Sequence, residues 1–115
     1  MFIFHITLRS DWEQAGPNGF YRPTSLDDEG FIHCSTAGQV LNVGDCYYHG
    51  VSGLVLLKID TGKLDIPLKF EDSHQNGELF PHLYGPLAVN AVVAVGDFSH
   101  GLDGSFIWPQ GLPKD

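Results

Sequence analysis

Two short stretches of mostly apolar residues, 2–6 and 31–35, each contain polar side chains at one or two positions. Both stretches predict β-strands, in which side chains two positions apart lie on the same face, so Phe2, Phe4 and Ile6 share one face of the first strand. His5 lies within the first strand. His33 and Ser35 share one face of the second strand, where both can hydrogen-bond to the same ligand.

Later stretches are apolar without alternation and are rich in β-branched residues. Residues 53–59 are apolar on both faces, which predicts a central strand covered on both sides. Residues 91–98 predict another long strand, and residues 68–71 predict a short one. Residues 78–87 contain prolines and glycines, and we expect an irregular segment there with room for one short strand.

Helical signals are confined to the first half of the chain. Ser10 and Glu13 have the spacing of a capping box, which predicts that Ser10 starts a short helix ending near Ala15. Residues 25–29 predict one helical turn closed by a glycine, and residues 37–48 predict a second helix. Because the helices come early and the strands late, the pattern favours an α+β fold over alternating strand–helix–strand units.

Length and composition are those of one globular domain. The chain has 115 residues, of which 43% are hydrophobic, and a chain of this size can build a core without disulfide or metal support. We predict a single α+β domain over residues 1–98, with a small split β-sheet, mixed or antiparallel-rich, and two short helices. We expect residues 99–115 to form a tail docked on the same domain.

The charge pattern excludes some partners. The net charge is −8, and the six Lys and Arg residues do not cluster, which argues against binding of long nucleic acid. The longest apolar runs are far shorter than the ~20 residues of a membrane span, and the N-terminus lacks the features of a signal peptide. We therefore expect a cytoplasmic protein without a membrane partner, and nothing in the sequence specifies an oligomeric state.

Histidines and one glutamate are the candidate chemical groups. His5, His33 and His82 fall in apolar contexts, where an imidazole is either hydrogen-bonded within the core or available to a ligand. Glu78 lies in an apolar stretch, where a carboxyl group tends to have a raised pKa and serves as an acid, a base or a cation stabiliser. We hypothesise that His5, His33 and Glu78 converge on one site.

Other chemistries have weaker signals. His33 and Cys34 are adjacent on a strand and point to opposite faces, which disfavours a Cys/His nucleophile pair. The sequence has neither a Gly-x-Ser-x-Gly elbow nor a phosphate loop. A metal site built from His5, His33, His82 and Glu78 is chemically reasonable, but no His-Glu-x-x-His spacing requires it, and we assign no metal ligand.

Two strings are specific enough to suggest a family: Gly-Phe-Ile-His-Cys-Ser from Gly30 to Ser35 and Gly-Glu-Leu-Phe-Pro-His-Leu-Tyr-Gly from Gly77 to Gly85. Together with Phe-His-Ile-Thr near the N-terminus and Tyr-Arg-Pro before the second strand, they resemble a bacterial domain-of-unknown-function family, number 952. The resemblance covers residues 2 to about 98. That family in turn looks distantly related to the ADP-ribosyltransferase-like fold, which includes RNA 2′-phosphotransferases.

The distant resemblance implies a pocket for NAD or an ADP-ribose-type nucleotide. In such enzymes a first-strand histidine contacts the adenosine-side ribose of NAD, and His5 matches that place. A second strand carries a histidine or tyrosine with a following serine or threonine, and His33 with Ser35 resembles the His-x-Ser form of the phosphotransferases. A late glutamate stabilises the oxocarbenium-like ribose, a role for which Glu78 is the candidate and Glu71 the reserve.

The same resemblance implies a tyrosine that stacks on the ligand, for which Tyr21 and Tyr84 are the candidates. Arg9 and Arg22 are the candidates for phosphate contacts, and His82 is expected to contact the ligand. Three functions stay open: an enzyme of ADP-ribosyl or phosphoryl transfer, a non-catalytic small-ligand binding module, and a histidine-rich metal-binding hydrolase.

Overall fold

The structure, a computed structural model, describes all 115 residues. It contains nine strands and three α-helices. The strands are β1 (Phe2–Leu8), β2 (Phe20–Tyr21), β3 (Ile32–His33), β4 (Leu54–Asp60), β5 (Leu68–Glu71), β6 (Phe80–Leu83), β7 (Leu87–Ala88), β8 (Val92–His100) and β9 (Phe106–Ile107). The helices are α1 (Arg9–Ala15), α2 (Ser25–Asp28) and α3 (Val40–Tyr47), with single 3-10 turns at Gly16–Asn18, Thr61–Lys63 and Val89–Ala91.

The strands form a divided sheet whose pairs are all antiparallel. Four strands pair in the order β1–β4–β8–β9, three pair in the order β3–β6–β5, and β2 pairs with β7. The predicted α+β class, the split of the sheet and the antiparallel-rich alternative are confirmed, whereas the alternative of a mixed sheet is wrong. Side-chain alternation reports which face of a strand is buried, but it carries no information on the direction of the neighbouring strand.

β4 is the centre of the larger sheet and separates two hydrophobic clusters. Its residues from Leu54 to Ile59 are all buried, as an apolar strand with neighbours on both edges should be. Val55, Leu57 and Ile59 contribute to one cluster, and Leu54 and Leu56 contribute to the other. The prediction of a central strand covered on both faces is confirmed.

The first helix begins differently from the prediction. α1 starts at Arg9, directly after β1, and Leu8 occupies the N-cap position without a side-chain hydrogen bond. Ser10 therefore lies inside the helix, and the capping-box prediction is wrong. The strand passes into the helix without an intervening loop, so no polar residue is left outside the first turn to cap it. The predicted end near Ala15 is confirmed.

The second long helix, α3, packs closely on the larger sheet through Gly44. A Cβ atom at this position would lie 2.8 Å from the Phe98 ring and 2.9 Å from the Phe106 ring. Those two rings stack on each other with centroids 4.4 Å apart. The glycine, which weakens the helix signal in the sequence, is thus required by the close approach of the helix backbone to the core.

The C-terminal segment contributes to the core. β9 pairs with the end of β8, and Phe106 and Leu112 are buried in the cluster on the α3 side of the sheet. Trp108 packs edge-on against Phe4, with ring centroids 5.0 Å apart. No helix in the structure combines the length and apolar character needed to cross a membrane.

The two larger parts of the sheet meet at one point and then diverge. Phe4 and Ser35 exchange two backbone hydrogen bonds of 2.8 Å, which join β1 to the segment after β3. Beyond Phe4, β1 pairs only with β4. Alternation along an antiparallel ladder directs the backbone N–H and C=O groups of Ile6 away from β4, and a cleft opens along this edge.

Candidate functional site

A cavity of about 610 Å³ occupies the cleft between β1 and the β3–β6 pair. This size is within the range of small-molecule sites. Half of its lining residues are hydrophobic, and the polar ones come from the strands β1, β2, β3 and β6, from the helices α1 and α2, and from the segments between them. Its lining includes His5, Thr7, Asp11, Tyr21, His33, Ser35, Tyr47, His74, Phe80 and His82.

His5, Tyr21 and Thr7 form a buried hydrogen-bond chain along one wall. His5 Nδ1 donates to the carbonyl oxygen of His33 at 2.5 Å, and His5 Nε2 is 2.8 Å from the Tyr21 hydroxyl. Burial lowers the pKa of His5 to about 4, so the ring is neutral at pH 7 and Nε2 accepts the Tyr21 proton. The hydroxyl oxygens of Tyr21 and Thr7 are 2.9 Å apart, and either hydroxyl could donate across this distance. Because the Tyr21 proton is already donated to His5, the Thr7 hydroxyl donates to the Tyr21 oxygen.

This chain is a fixed structural unit of the wall. Burial also raises the pKa of Tyr21 to about 12, so the phenol keeps its proton over the physiological range. Both nitrogens of His5 are occupied by protein partners. His5 and Tyr21 therefore shape the cavity, while a ligand that contacts them has to compete with existing hydrogen bonds.

His33 and His82 face each other across the β3–β6 pair. They are direct partners in the register, and their ring centroids are 5.5 Å apart with the rings nearly perpendicular. His33 Nε2 is hydrogen-bonded to Glu29, four residues earlier, at 2.5 Å. Phe31 packs on both rings, stacking on His82 at 4.0 Å and meeting His33 edge-on at 4.8 Å. The two imidazoles are thereby held in one orientation.

Glu71 on β5 holds His82 from the other side. Glu71 accepts a 2.8 Å hydrogen bond from His82 Nδ1 and a second one from the Tyr84 hydroxyl on the same oxygen. These two hydrogen bonds keep the pKa of Glu71 below its usual range, and the bond from Tyr84 has the larger effect. The carboxylate is ionised at neutral pH and acts only as an acceptor.

The cavity mouth is bordered by aromatic rings from α3 and from the loop between β5 and β6. Tyr47 stacks on His74, with centroids 6.0 Å apart, and His74 meets Phe80 edge-on at 5.8 Å. The loop is closed locally by Asp72, whose carboxylate accepts backbone N–H groups of Asn76 and Gly77. These bonds lower the pKa of Asp72.

Positive charge is absent from the lining of the large cavity but present beside it. None of the lining residues is Lys or Arg, and Asp11 is the one acidic residue among them. A second cavity of about 320 Å³ adjoins the first, shares Asp11 and Tyr21 with it, and contains Arg22. Arg22 forms an exposed 3.1 Å ion pair with Asp27, which is weak enough for a ligand anion to replace the carboxylate.

The structure brings together five of the sequence-predicted site residues: His5, Tyr21, His33, Ser35 and His82. It places four elsewhere. Arg22 lines the smaller cavity, Arg9 is ion-paired with Asp97, Tyr84 lies behind Glu71, and Glu78 lines neither cavity.

Glu78 is the main departure from the sequence hypothesis, because it does not converge with His5 and His33. Its exposed carboxylate accepts a 3.2 Å hydrogen bond from Gln39. The hypothesis assumed that the neighbouring residues are buried, but Leu79 is 53% exposed and β6 begins only at Phe80. Glu78 thus belongs to the exposed end of the loop and lacks the apolar surroundings that the hypothesis requires.

Sequence reasoning missed several residues of the site. Glu29 is not among the predicted site residues, although its spacing of four residues from His33 is a usable signal. His74 is not among them either, but it stacks on Tyr47 at the cavity mouth. Nothing local to the sequence shows that Glu71 meets His82, because that contact depends on the register of β5 against β6.

The geometry offers no support for the metal-dependent alternative. No three His, Cys, Asp or Glu side chains lie close enough together to hold one metal ion. The nitrogens that face carboxylates are engaged in hydrogen bonds with them, His33 with Glu29 and His82 with Glu71.

These features define a class: a small α+β domain whose divided antiparallel sheet encloses an aromatic cleft with a histidine- and hydroxyl-rich wall. Within that class the chain belongs to the family described as "Protein of unknown function (DUF952)", whose profile matches residues 6–95. The resemblance to this family that the sequence motifs predict is confirmed.

Solved structures of one relative have the same fold. The crystal structure of protein CC0527 from Caulobacter crescentus is 34% identical, with a TM-score of 0.81 over 93% of this chain and 94% of that chain. A solution NMR structure of CC0527 is 34% identical, with a TM-score of 0.79 over 95% of this chain and 91% of that chain. None of the curated proteins matches the chain.

Proposed function

We propose that the protein binds a small nucleotide-type ligand, of the NAD or ADP-ribose class, in the cleft between β1 and β3. The observation that carries the proposal is the pair of adjoining cavities, one large and aromatic and one smaller with an arginine. A ligand with a flat heteroaromatic or sugar part and a phosphate part matches this division. The distant resemblance to the ADP-ribosyltransferase-like fold points to the same ligand class.

The large cavity suits the uncharged part of such a ligand. Aromatic side chains supply flat apolar surface, as Tyr47 and Phe80 do at the mouth, and aromatic surface packs well against a heterocycle. Ser35 and His82 add hydrogen-bonding groups at the inner wall. A phosphate group would meet no cationic side chain there.

The smaller cavity suits the phosphates. Arg22 is the cation in its lining, and a guanidinium binds phosphate oxygens through two parallel hydrogen bonds. The Arg22 guanidinium forms an ion pair with Asp27. Because this ion pair is exposed and weak, a phosphate can displace the Asp27 carboxylate. We therefore place the phosphate groups of the bound ligand at Arg22.

The geometry favours a binding protein over a transferase. Transfer from an ADP-ribose unit needs a carboxylate beside the ribose to stabilise its developing positive charge. Glu78, the residue expected in that role, is outside the cavity, and Asp11 is the one carboxylate in the lining. If the protein does cleave NAD, Asp11 is the residue whose negative charge would stabilise the ribose. Release of nicotinamide from NAD would reveal such cleavage.

Titration calorimetry with NAD and with ADP-ribose tests the proposal, and the two arginines form a matched pair. We expect both ligands to bind to the wild-type protein and to bind about tenfold more weakly to Arg22→Gln, because a charge-assisted hydrogen bond is lost. Arg9→Gln, which changes an arginine that lines neither cavity, should bind like the wild type. Absence of heat with either ligand at millimolar concentration would refute the proposal.

We further propose a cytoplasmic location. The two cysteines, buried Cys34 and exposed Cys46, are both free thiols. Unpaired cysteines are the usual state in a reducing compartment.

A further inference from the structure

We infer that His82 and His33 act together as a hydrogen-bond acceptor pair for two hydroxyl groups of the bound ligand, as found on a ribose-type diol. This inference rests on the proposed function and specifies what the inner wall of the same cavity recognises. It is carried by the two carboxylate–histidine pairs, Glu71–His82 and Glu29–His33.

The first step is the position of the His82 proton. Glu71 is an acceptor, so the 2.8 Å contact between it and His82 Nδ1 requires a proton on Nδ1. A neutral imidazole with its proton on Nδ1 has a lone pair on Nε2. Glu71 is in turn held by the Tyr84 hydroxyl, which fixes the carboxylate in place.

The second step is that His82 Nε2 faces open space. The only buried side-chain nitrogen or oxygen without a hydrogen-bond partner in this structure is His100 Nε2. His82 Nε2 has no hydrogen-bond partner in the protein, and it is not one of these fully enclosed atoms. It is therefore open to a molecule from outside. The His82 side chain is 2% exposed and lines the cavity. The cavity is therefore the space that this lone pair reaches.

The third step concerns His33, directly opposite. Its Nε2 is occupied by Glu29, which by the same reasoning leaves Nδ1 as the acceptor of the neutral ring. The two ring centroids are 5.5 Å apart, close enough for adjacent hydroxyls of one sugar to approach one ring each. Phe31 packs on both rings and restricts their rotation.

The ligand group must then be a donor. With one ring nitrogen held by a carboxylate, the neutral form of His33 and of His82 offers one acceptor nitrogen each, and the lining contains no Lys or Arg to neutralise an anion. Hydroxyl groups can donate to such acceptors, whereas phosphate oxygens are themselves acceptors and would repel the ring-nitrogen lone pairs. Ser35, on the same face of the strand as His33, has a hydroxyl that can serve the same diol.

Nitrogen-15 NMR of the histidine rings in the wild-type protein is the direct test. At pH 8 we expect His82 to have its proton on Nδ1, facing Glu71. ADP-ribose should shift the His82 Nε2 resonance and leave the pattern of the Nδ1-protonated tautomer unchanged. A proton on Nε2 in the free protein would overturn the inference whatever the ligand does.

The ligand titration separates the two proposals. If ADP-ribose binds and His82 Nε2 does not shift, the acceptor pair is refuted while the proposed function stands. If neither ADP-ribose nor NAD binds, the proposed function fails, and the inference that rests on it falls as well.

A matched pair of variants gives a second measurement. His82→Phe keeps a ring against Phe31 and removes the acceptor, and it should weaken ADP-ribose binding about tenfold. His49→Phe changes an exposed histidine outside the cavity lining and should have no effect. Equal affinity of the two variants would contradict the inference. If His82→Phe does not fold, as circular dichroism would show, the wild-type NMR experiment still decides.

Discussion

The four-stranded sheet and the β3–β6–β5 sheet differ in the length of their strand pairs and in what orients their polar side chains. In the larger sheet, β4 pairs with β1 along its whole length and with β8 from Leu54 to Ile59, and these six consecutive residues are buried. In the smaller sheet, β3 is two residues long and β5 is largely exposed. The histidines of this sheet are oriented by side-chain pairs, Glu29 with His33 and Glu71 with His82.

The difference separates a stable scaffold from a recognition surface. Apolar burial contributes most of the folding free energy but has little directional preference. Hydrogen bonds between carboxylates and imidazoles contribute less net stability, but they set the orientation and tautomer of each ring. The cleft lies between the two sheets. The four-stranded sheet fixes its position, and the β3–β6–β5 sheet supplies the polar groups that a ligand meets.

Truncation of a core leucine should give the largest effect and test the role of the larger sheet. Leu56 is fully buried in β4, and Leu56→Ala should lower the free energy of unfolding by about 2–5 kcal/mol. Leu102 is fully exposed, and Leu102→Ala should change it by less than about 0.5 kcal/mol. Urea denaturation measures both, and similar losses would contradict the assignment of the scaffold.

Acid should destabilise the protein through His5, which borders both regions. The pKa of this ring is about 4 in the folded state because of burial, against about 6.5 when unfolded. Between these values only the unfolded state binds the proton. The stability present above pH 6.5 is therefore lost as the pH falls toward 4, by about 3 kcal/mol.

His5→Gln is the variant that checks this pH dependence. Urea unfolding of the wild type and of His5→Gln at pH 7 and at pH 4.5 should show a smaller pH-dependent loss in the variant. An identical loss in both proteins would assign the acid sensitivity to other groups.

Gly44 tests how tightly α3 packs on the larger sheet. Gly44→Ala places a methyl group against the stacked Phe98 and Phe106 rings, and overpacking of this kind costs about 1–3 kcal/mol. Gly38→Ala is the control, because a Cβ at Gly38 meets no atom within 4 Å. Alanine has the higher helix propensity, so a neutral or stabilising Gly44→Ala would show that the interface is loose.

The smallest effect is expected at Tyr84, which probes the smaller sheet. Its hydrogen bond is the largest cause that lowers the pKa of Glu71. Tyr84→Phe should therefore raise the Glu71 pKa toward its usual value, as followed by carbon-13 NMR of the carboxyl group. In the wild type this lowered pKa stabilises the fold above the unfolded-state pKa of glutamate, and the contribution is lost as the pH falls through the folded-state value. An unchanged Glu71 pKa in the variant would show that the Tyr84 hydroxyl does not hold the Glu71 carboxylate.

The sequence predicts the scaffold well because its signals are local. The mostly apolar stretch in β1 and the apolar run in β4 each follow from consecutive residues, and both strands are found where predicted. The capping box fails because α1 follows β1 without a loop. The direction of each paired strand is a non-local property, which explains why the sequence leaves a mixed sheet as an alternative.

The site is less predictable because its contacts depend on register. His33 and His82 were both selected from their apolar contexts, but their direct opposition follows from the pairing of β3 with β6. Glu71 reaches His82 diagonally across the β5–β6 ladder. Glu78 was preferred over Glu71 on the assumption of buried neighbours, and the exposure of Leu79 removes that assumption.

The central claim is that the cleft between β1 and β3 is a ligand site, and an amide NMR titration with ADP-ribose tests it most directly. We expect resonance shifts at residues on both walls, Ile6 and Thr7 on one side and His33 and Ser35 on the other, with saturation as the ligand is added. Residues outside the lining of both cavities, such as Lys63 and Ile107, should not shift. Absence of shifts at millimolar ADP-ribose, or shifts that avoid both walls of the cleft, would contradict the account.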